Sequence, residues 1–190
     1  MNRYYNDDLI SIEWEINNCA LCTLSRTRNK TVPGEGPSDA KIMIIGEGPG
    51  EENDKIGRPF VGRGGKLLDN FLKEAKLCRQ ELFLTNIIKC RMPHNDTPTT
   101  AISSTCISYL YRQIEVINPK IIVTLGLPAA KILLADSKLK LSDAQDKIYN
   151  IDGRTILCTY HPSSIRYNVD GKEKIISTLI KARELDLTGV

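Results

Sequence analysis

The stretch KIMIIGEGPG at residues 41–50 decides the fold of this chain. Its first part, residues 41–46, is an apolar, isoleucine-rich run that predicts a buried strand, and the glycines after it predict a tight turn. Comparable apolar runs at residues 82–88, 121–125 and 155–160 predict three more strands. Helical periodicity separates these runs, and such an alternation indicates an α/β fold with a parallel sheet that helices cover on both faces.

The helical stretches are amphipathic. Apolar side chains recur at helical spacing over residues 7–18, 64–77, 98–117, 127–134 and 172–185. Asp7 and Asp8 suit the first turn of the first helix, where the helix dipole favours acidic side chains. Thr97 followed by Pro98 predicts the N-cap and first residue of the longest helix.

The composition is that of an ordinary globular domain. The chain has 190 residues, 41% of them hydrophobic, and a formal net charge of +3. A chain of this length buries a core without disulfides, so one domain is expected over residues 1–190. No apolar run approaches the roughly 20 residues of a membrane helix, and the polar start is no signal peptide, so we expect an intracellular protein. The small positive charge permits nucleic-acid binding without requiring it.

Three distinctive loops, residues 46–50, 86–91 and 161–166, each follow a predicted strand directly. Ligands of parallel α/β sheets bind beyond the carboxyl ends of the strands, so we expect these loops to converge on one crevice. The glycine loop lacks the Gly-Lys-Ser/Thr ending of a triphosphate loop and the glycine spacing of a dinucleotide fingerprint. The glycines alone also fit a plain structural turn.

An aromatic residue and a histidine are candidates for binding a ligand in this crevice. Phe60 lies between Arg58 and Arg63 in the segment GRPFVGR, which suits a base stacked on a ring with phosphates nearby. Phe60 taken alone fits a core residue as well. His161 is one of two histidines and follows the last predicted strand, where a functional and a structural role are both open.

The six cysteines suit metal ligands, core residues or catalytic groups better than disulfides, because the chain has no export signal. Cys19 and Cys22 have the spacing of two thiolates that share a metal. Cys90 and Cys106 are too far apart in sequence for a zinc ribbon, and thiolates from scattered elements suit an iron–sulfur cluster at least as well as zinc. Cys106 also fits a buried residue on a helix face.

Together these motifs resemble those of the family 4 uracil-DNA glycosylases, the iron–sulfur branch of the uracil-DNA glycosylase superfamily. The matching motifs follow in family order along nearly the whole chain: CALC at 19–22, VPGEG at 32–36, GEGPG at 46–50, GRPFVG at 57–62, TNIIKCR at 85–91, Cys106, PKIIV at 119–123 and HPS at 161–163. The resemblance implies a three-layer α/β/α fold around a four-stranded parallel sheet. It also implies a 4Fe-4S cluster on Cys19, Cys22, Cys90 and Cys106, with Cys78 and Cys158 as ordinary apolar residues.

The activity that the resemblance implies is removal of uracil from DNA, by hydrolysis of the N-glycosidic bond of a flipped-out deoxyuridine, at the start of base excision repair. Phe60 would stack on uracil. The Asn86 amide would accept a hydrogen bond from uracil N3–H and donate one to O4, whereas cytosine presents the opposite pattern. His161 would donate to uracil O2 as the base leaves. We expect a monofunctional enzyme, because the resemblance places no lysine for attack on the sugar.

The glycine loop departs from the best-known branch of the superfamily, which has an aspartate at the position of Gly48 and a tyrosine at that of Gly50. No obvious general base remains, so we expect Glu47, or backbone groups around Gly48, to position the attacking water. Many family 4 members have an acidic residue at the position of Asn53. We therefore expect Asn53, in the pocket wall, to loosen the exclusion of 5-substituted uracils.

DNA contacts are expected from cations near the crevice: Arg58, Arg63, Lys89, Arg91 and Arg166. Ile165, Arg166 and Tyr167 follow the histidine motif, where the superfamily inserts a wedge into the vacated base stack.

We expect a cytoplasmic monomer that binds uracil-containing DNA, single- or double-stranded, with a replication clamp as a candidate partner. A non-catalytic iron–sulfur nucleic-acid binding module on the same fold is the alternative, and Asn86, Phe60 and His161 argue against it.

Overall fold

The centre of the molecule is a five-stranded sheet in the order β2-β1-β3-β5-β4. The structure is a computed structural model that describes residues 7–166 and 170–189, with Arg166 described by its backbone alone. The strands are β1 (Ile42–Gly46), β2 (Phe83–Asn86), β3 (Ile121–Leu125), β4 (Ile148–Ile151) and β5 (Arg154–Thr159). Four of them, β1, β2, β3 and β5, run parallel, and β4 pairs antiparallel to β5 at one edge.

The α/β class is confirmed, and the main difference from the predicted sheet is the fifth strand. β2 is also shorter than the predicted run at residues 82–88, because the chain leaves the sheet after Asn86. β4 has no apolar run, because its residues alternate between exposed and half-buried positions at the sheet edge. Asp152 and Gly153 join it to β5 with φ angles of 50° and 75°. Two positive φ angles in succession are what a tight hairpin turn of this hand requires.

Helices cover both faces of the sheet. They are α1 (Leu9–Asn17), α2 (Glu51–Ile56), α3 (Arg63–Glu74), α4 (Thr100–Ile117), α5 (Leu127–Leu133), α6 (Leu141–Ala144) and α7 (Gly171–Thr188). On one face Met43 and Ile45 of β1 join a buried cluster that α4 and α5 close. On the other face Ile42 and Ile44 join a cluster closed by α3 and α7. Successive strand residues thus feed opposite layers, which gives the predicted three-layer order.

The helix starts show which capping predictions were right. Asp8 is the N-cap of α1 and accepts a hydrogen bond from the Ser11 backbone N–H at 2.6 Å. The predicted N-cap of α4 was wrong by two residues, because Thr99, and not Thr97, accepts from the Ile102 N–H at 3.3 Å. Threonine has the same capping chemistry at both positions. Across the described ranges, no helix combines the length and apolar character needed to cross a bilayer.

Candidate active site

A cavity of about 420 Å³ lies where the loops after β1, β2 and β5 meet. It is lined by all seven residues that the sequence nominated for the catalytic and base-binding positions: Glu47, Gly48, Gly50, Asn53, Phe60, Asn86 and His161. The expected convergence of the three loops is therefore observed, while the role of each residue stays a prediction. Further residues of the wall, such as Ile88, Met92 and Ser163, were not predicted.

Asn86 is the last residue of β2 and is 3% exposed. Its neighbour in the sheet is Gly46, the last residue of β1. A Cβ atom at Gly46 would lie 2.5 Å from Asn86 Oδ1 and 3.0 Å from Phe60 Cζ. The amide and the phenyl ring therefore share the space above Gly46, and a residue with a side chain at that position would displace them.

Phe60 is held in an unusual backbone conformation. Its φ angle is 52°, in the left-handed region, where a non-glycine residue costs of order 1–3 kcal/mol. The Arg79 guanidinium donates to the Pro59 carbonyl at 2.9 Å and to the Phe60 carbonyl at 3.4 Å. A Cβ at Gly65 would lie 1.7 Å from the Phe60 carbonyl oxygen, so only glycine fits there. Arg79 was not predicted from the sequence, which carries no signal for this contact.

His161 lines the same cavity as Phe60, with ring centroids 6.4 Å apart. The backbone N–H of Ser163 donates to His161 Nδ1 at 3.2 Å, and Ser163 Oγ lies 2.7 Å from the same nitrogen. Because Nδ1 accepts, we assign the ring proton to Nε2. Burial lowers the pKa of His161 to about 4, so the ring is neutral at pH 7. The result is an uncharged hydrogen-bond donor in the cavity wall.

Glu47 follows β1 and is half-buried. Its Oε1 atom is buried and has no hydrogen-bond partner among residues 7–166 and 170–189. Burial raises the pKa of Glu47. An unpaired buried carboxylate oxygen is costly unless a water or a ligand satisfies it, which suits a group that holds a water molecule.

Asn53 joins two loops of the pocket wall. It is the third residue of α2, and its Oδ1 accepts from the Gly50 backbone N–H at 2.9 Å. Its Nδ2 donates to the Arg58 carbonyl at 2.9 Å. An acidic side chain accepts but does not donate when ionised, so it cannot reproduce the second bond. Asn53 therefore braces the wall in a way that a carboxylate would not.

Lys89 is a correction to the predicted DNA contacts. It is 1% exposed, and its Nζ is surrounded by oxygen atoms of Thr85, Asn86 and Gln113. Burial lowers its pKa to about 7. A side chain that no solvent reaches cannot contact a DNA phosphate, so the prediction for Lys89 was wrong.

The remaining predicted DNA contacts lie nearer the surface. Arg58 and Arg63 are exposed, and Arg58 pairs with Glu35 at 2.7 Å. Arg91 is 25% exposed and donates to Asn95 Oδ1 at 3.0 Å. Of the predicted wedge, Ile165 is half-buried and packs against the core, Arg166 ends the turn Pro162–Arg166, and Tyr167 lies outside the described residues.

Four of the six cysteines border one small cavity between α1, the loop after β2 and α4: Cys19, Cys22, Cys90 and Cys106. The Arg28 guanidinium donates to Cys90 Sγ, and the Lys89 backbone N–H donates to Cys106 Sγ, both at 3.3 Å. Burial raises the pKa of Cys106 to about 11. No three Cys, His, Asp or Glu side chains of the described residues are arranged to hold a metal ion as they lie.

The other two cysteines lie apart from this cavity. Cys158 is buried in the sheet core, as predicted. Cys78 is exposed and donates to Gln80 Oε1 at 3.1 Å, so the prediction of an ordinary apolar position does not describe it.

Comparison with known proteins identifies the family. A profile of the Uracil DNA glycosylase superfamily matches residues 33–181. The Type-4 uracil-DNA glycosylase of Thermotoga maritima is 40% identical over 167 residues, covering 87% of each chain. The enzymes of the same name from Sulfurisphaera tokodaii and Saccharolobus solfataricus are 39% and 41% identical, over 96% and 94% of this chain and 86% of theirs. The chain therefore belongs to the uracil DNA glycosylase superfamily, in its type-4 branch.

Proposed function

We propose that this protein removes uracil from DNA by hydrolysing the N-glycosidic bond of a flipped-out deoxyuridine, at the start of base excision repair. The observation that carries the proposal is the convergence of Asn86, Phe60 and His161 on one cavity in a type-4 family member. A cavity of about 420 Å³ accommodates a single pyrimidine base outside the duplex. The whole chain, residues 1–190, acts as one glycosylase domain.

Recognition of uracil rests on Asn86. Its buried amide accepts from N3–H and donates to O4 of the base, while the Phe60 ring stacks on the base face. Cytosine would bring a donor and an acceptor to the opposite positions. Each buried polar group left unpaired costs about 1–3 kcal/mol, so cytosine is rejected by the same amide that holds uracil.

Departure of the base rests on His161. Negative charge collects on the pyrimidine as the glycosidic bond breaks, and Nε2–H of the neutral ring donates to O2. A preorganised donor of this kind contributes about 2.7–4 kcal/mol to lowering the barrier. The Ser163 N–H bond to Nδ1 supports this role, because it leaves Nε2 as the protonated nitrogen.

Water is positioned by Glu47, whose Oε1 lacks a protein partner within the described part of the chain. The water oxygen bonds to the sugar C1′ as the bond to the base breaks. The proton that the water loses ends on the uracil anion by way of solvent, so the products are neutral uracil and an abasic sugar. The backbone around Gly48 completes this side of the cavity. A methyl group there would lie 2.7 Å from Ile88 Cγ1, so the glycine loop closely approaches the loop after β2.

We assign a 4Fe-4S cluster to Cys19, Cys22, Cys90 and Cys106. Four thiols around one cavity are the donor set that such a cluster takes. The thiols lie too far apart to hold a single metal ion, but a cluster of four irons is wider and needs ligands that are further apart. The N–H donors from Arg28 and Lys89 to two of the sulfurs suit thiolate ligands. When bound, the cluster would join the segment after α1, the loop after β2 and helix α4 to one another.

DNA is held by phosphate contacts from Arg58, Arg63, Arg91 and Arg166, with Ile165 beside the vacated stack. The protein acts as a cytoplasmic monomer on single- or double-stranded DNA, and a replication clamp is a candidate partner.

The test is release of free uracil from an oligonucleotide that contains one deoxyuridine. The native chain should release uracil without added metal and leave an abasic site, and an oligonucleotide with thymidine at the same position is the control. Asn86→Ala and His161→Ala should each slow release by about 10²–10³-fold. Binding to the oligonucleotide with no release by the native chain would favour the non-catalytic module instead.

A further inference from the structure

A buried cation lies directly behind the cavity wall. Lys89 Nζ lies 2.6 Å from Thr85 Oγ1, 2.7 Å from Gln113 Oε1 and 2.8 Å from the backbone carbonyl oxygen of Asn86. The Thr85 hydroxyl and the Gln113 amide donate their own protons to the Pro33 carbonyl, at 2.8 and 2.9 Å. All three neighbours of Nζ therefore accept. Three acceptors around one nitrogen match the three N–H bonds of an ammonium, and a neutral amine would still offer two of them.

The backbone carbonyl of Asn86 needs a donor that the sheet does not provide. Glu35 and Leu84 form an antiparallel bridge on the outer side of β2, with N–H to carbonyl bonds of 2.9 and 2.8 Å. Continuing that bridge by two residues would place Pro33 opposite Asn86. Proline has no N–H to give. The Lys89 ammonium donates in place of the missing amide and so fixes the last peptide group of β2.

The charge of Lys89 has no carboxylate partner among the described residues. The polar groups that face Nζ are Thr85, Gln113 and the Asn86 carbonyl, and all of them are neutral. A group that becomes anionic lies close to the backbone of this residue, since Cys106 Sγ accepts from the Lys89 backbone N–H at 3.3 Å. A buried ammonium without a counter-charge is unfavourable. The thiolates of a bound cluster would offset it.

We propose that Lys89 is a positioning residue, which holds the backbone of Asn86 and through it the amide that reads the base. The inference rests on the proposed function. The Asn86 residue is then held at two places. Its side-chain amide lies against Gly46, and its backbone carbonyl accepts a hydrogen bond from Lys89 Nζ. Lys89 touches no substrate and acts through Asn86 alone.

A double-mutant cycle separates this role from a general structural one. Lys89→Met should lower the single-turnover rate of uracil release by about 10-fold to 100-fold, as a small misplacement of a reading group does. In the Asn86→Ala background the same substitution should have little further effect, because two residues that act as one unit are not additive. Lys73→Met, which removes an exposed lysine from α3, is the matched control and should keep the native rate.

Two measurements without substrate complete the test. Amide hydrogen exchange at Ile87 and Ile88, whose N–H groups bond to Gly46 and Glu47, should become faster in Lys89→Met. Iron content and visible absorption should stay native. Where Lys89→Met does not fold, Gln113→Met removes one acceptor of the same network and enters the same cycle.

The proposal is overturned if Lys89→Met lowers the rate by the same factor in both backgrounds, or if exchange at Ile87 and Ile88 stays native. A native chain that releases no uracil would instead overturn the proposed function. Hydrogen exchange would then still decide whether Lys89 fixes the end of β2.

Discussion

Gly46→Ala is the most direct perturbation of the base-reading geometry. The added Cβ would lie 2.5 Å from Asn86 Oδ1, and ordinary van der Waals contact begins at 3.4 Å, so the amide must move by about 0.9 Å (3.4 − 2.5). Phe60 Cζ, at 3.0 Å, leaves little room for the amide to turn toward the ring. Gly46 lies in β1, where alanine is an allowed residue, so the fold should persist.

The expected loss of rate follows from that displacement. A misplacement of about 1 Å costs about 10²-fold in rate, which corresponds to about 2.7 kcal/mol of barrier. Overpacking of this kind lowers the free energy of unfolding by about 1–3 kcal/mol, so stability must be measured beside the rate. The affinity for DNA that already carries an abasic site should stay near native, because the displaced amide contacts only the base.

The assay is single-turnover release of uracil with enzyme in excess over a single-uracil oligonucleotide. Gly62→Ala is the matched control, because it adds the same methyl group to the same cavity wall, where its nearest contact is 3.5 Å from Glu52 Cβ. A Gly46→Ala protein that is folded and releases uracil at the native rate would refute the inference that the position of Asn86 controls catalysis.

Three further predictions concern acidity, iron and selectivity. The His161 ring, followed by NMR across a pH series, should remain neutral through pH 6.5 and gain its proton only near pH 4, because burial lowers its pKa from 6.5 to about 4; a titration of this ring near pH 6.5 would contradict this. Cys19→Ala should lose the roughly four irons of the cluster, measured as iron per protein, whereas the control Cys78→Ser should keep them. Stoichiometric zinc in protein purified from iron-replete cells would exclude the cluster. Asn53→Glu should raise excision of 5-hydroxymethyluracil relative to uracil, the opposite of what the family resemblance implies, because a carboxylate cannot donate to the Arg58 carbonyl and the pocket wall loses that bond. One added group in such a pocket controls about 1–3 kcal/mol, and equal ratios in native and variant proteins would show that Asn53 does not set selectivity.

The parts of the site that follow directly from chain order were predictable. The run at 121–125 became β3 with the same bounds, since an apolar run between a helix end and a glycine has few alternatives. The strand ends then placed the loops with Glu47, Asn86 and His161 at one edge, because parallel strands share their carboxyl ends. The resemblance to the family motifs then indicated which side chains in those loops would bind the base.

The contacts that depend on distant partners were not predictable. Lysine is almost never fully buried, and only the three acceptors from Thr85, Asn86 and Gln113 make the position of Lys89 tolerable. The hydrogen bonds from Arg79 to the Pro59 and Phe60 carbonyls likewise join groups 19 residues or more apart in sequence. No local sequence pattern predicts such a contact. β4 was missed because an edge strand needs no continuous apolar run.

The two edges of the sheet bear on how the protein avoids aggregation. An open strand edge is a template on which another chain can add, and proteins block it with prolines, bulges or very short strands. β2, the edge beside the reading amide, is already paired to Glu35 and faces Pro33 where the pairing would continue. β4, the opposite edge, is four residues long. The same proline that leaves the Asn86 carbonyl to Lys89 therefore also closes one of the two edges on which a cross-β assembly can begin.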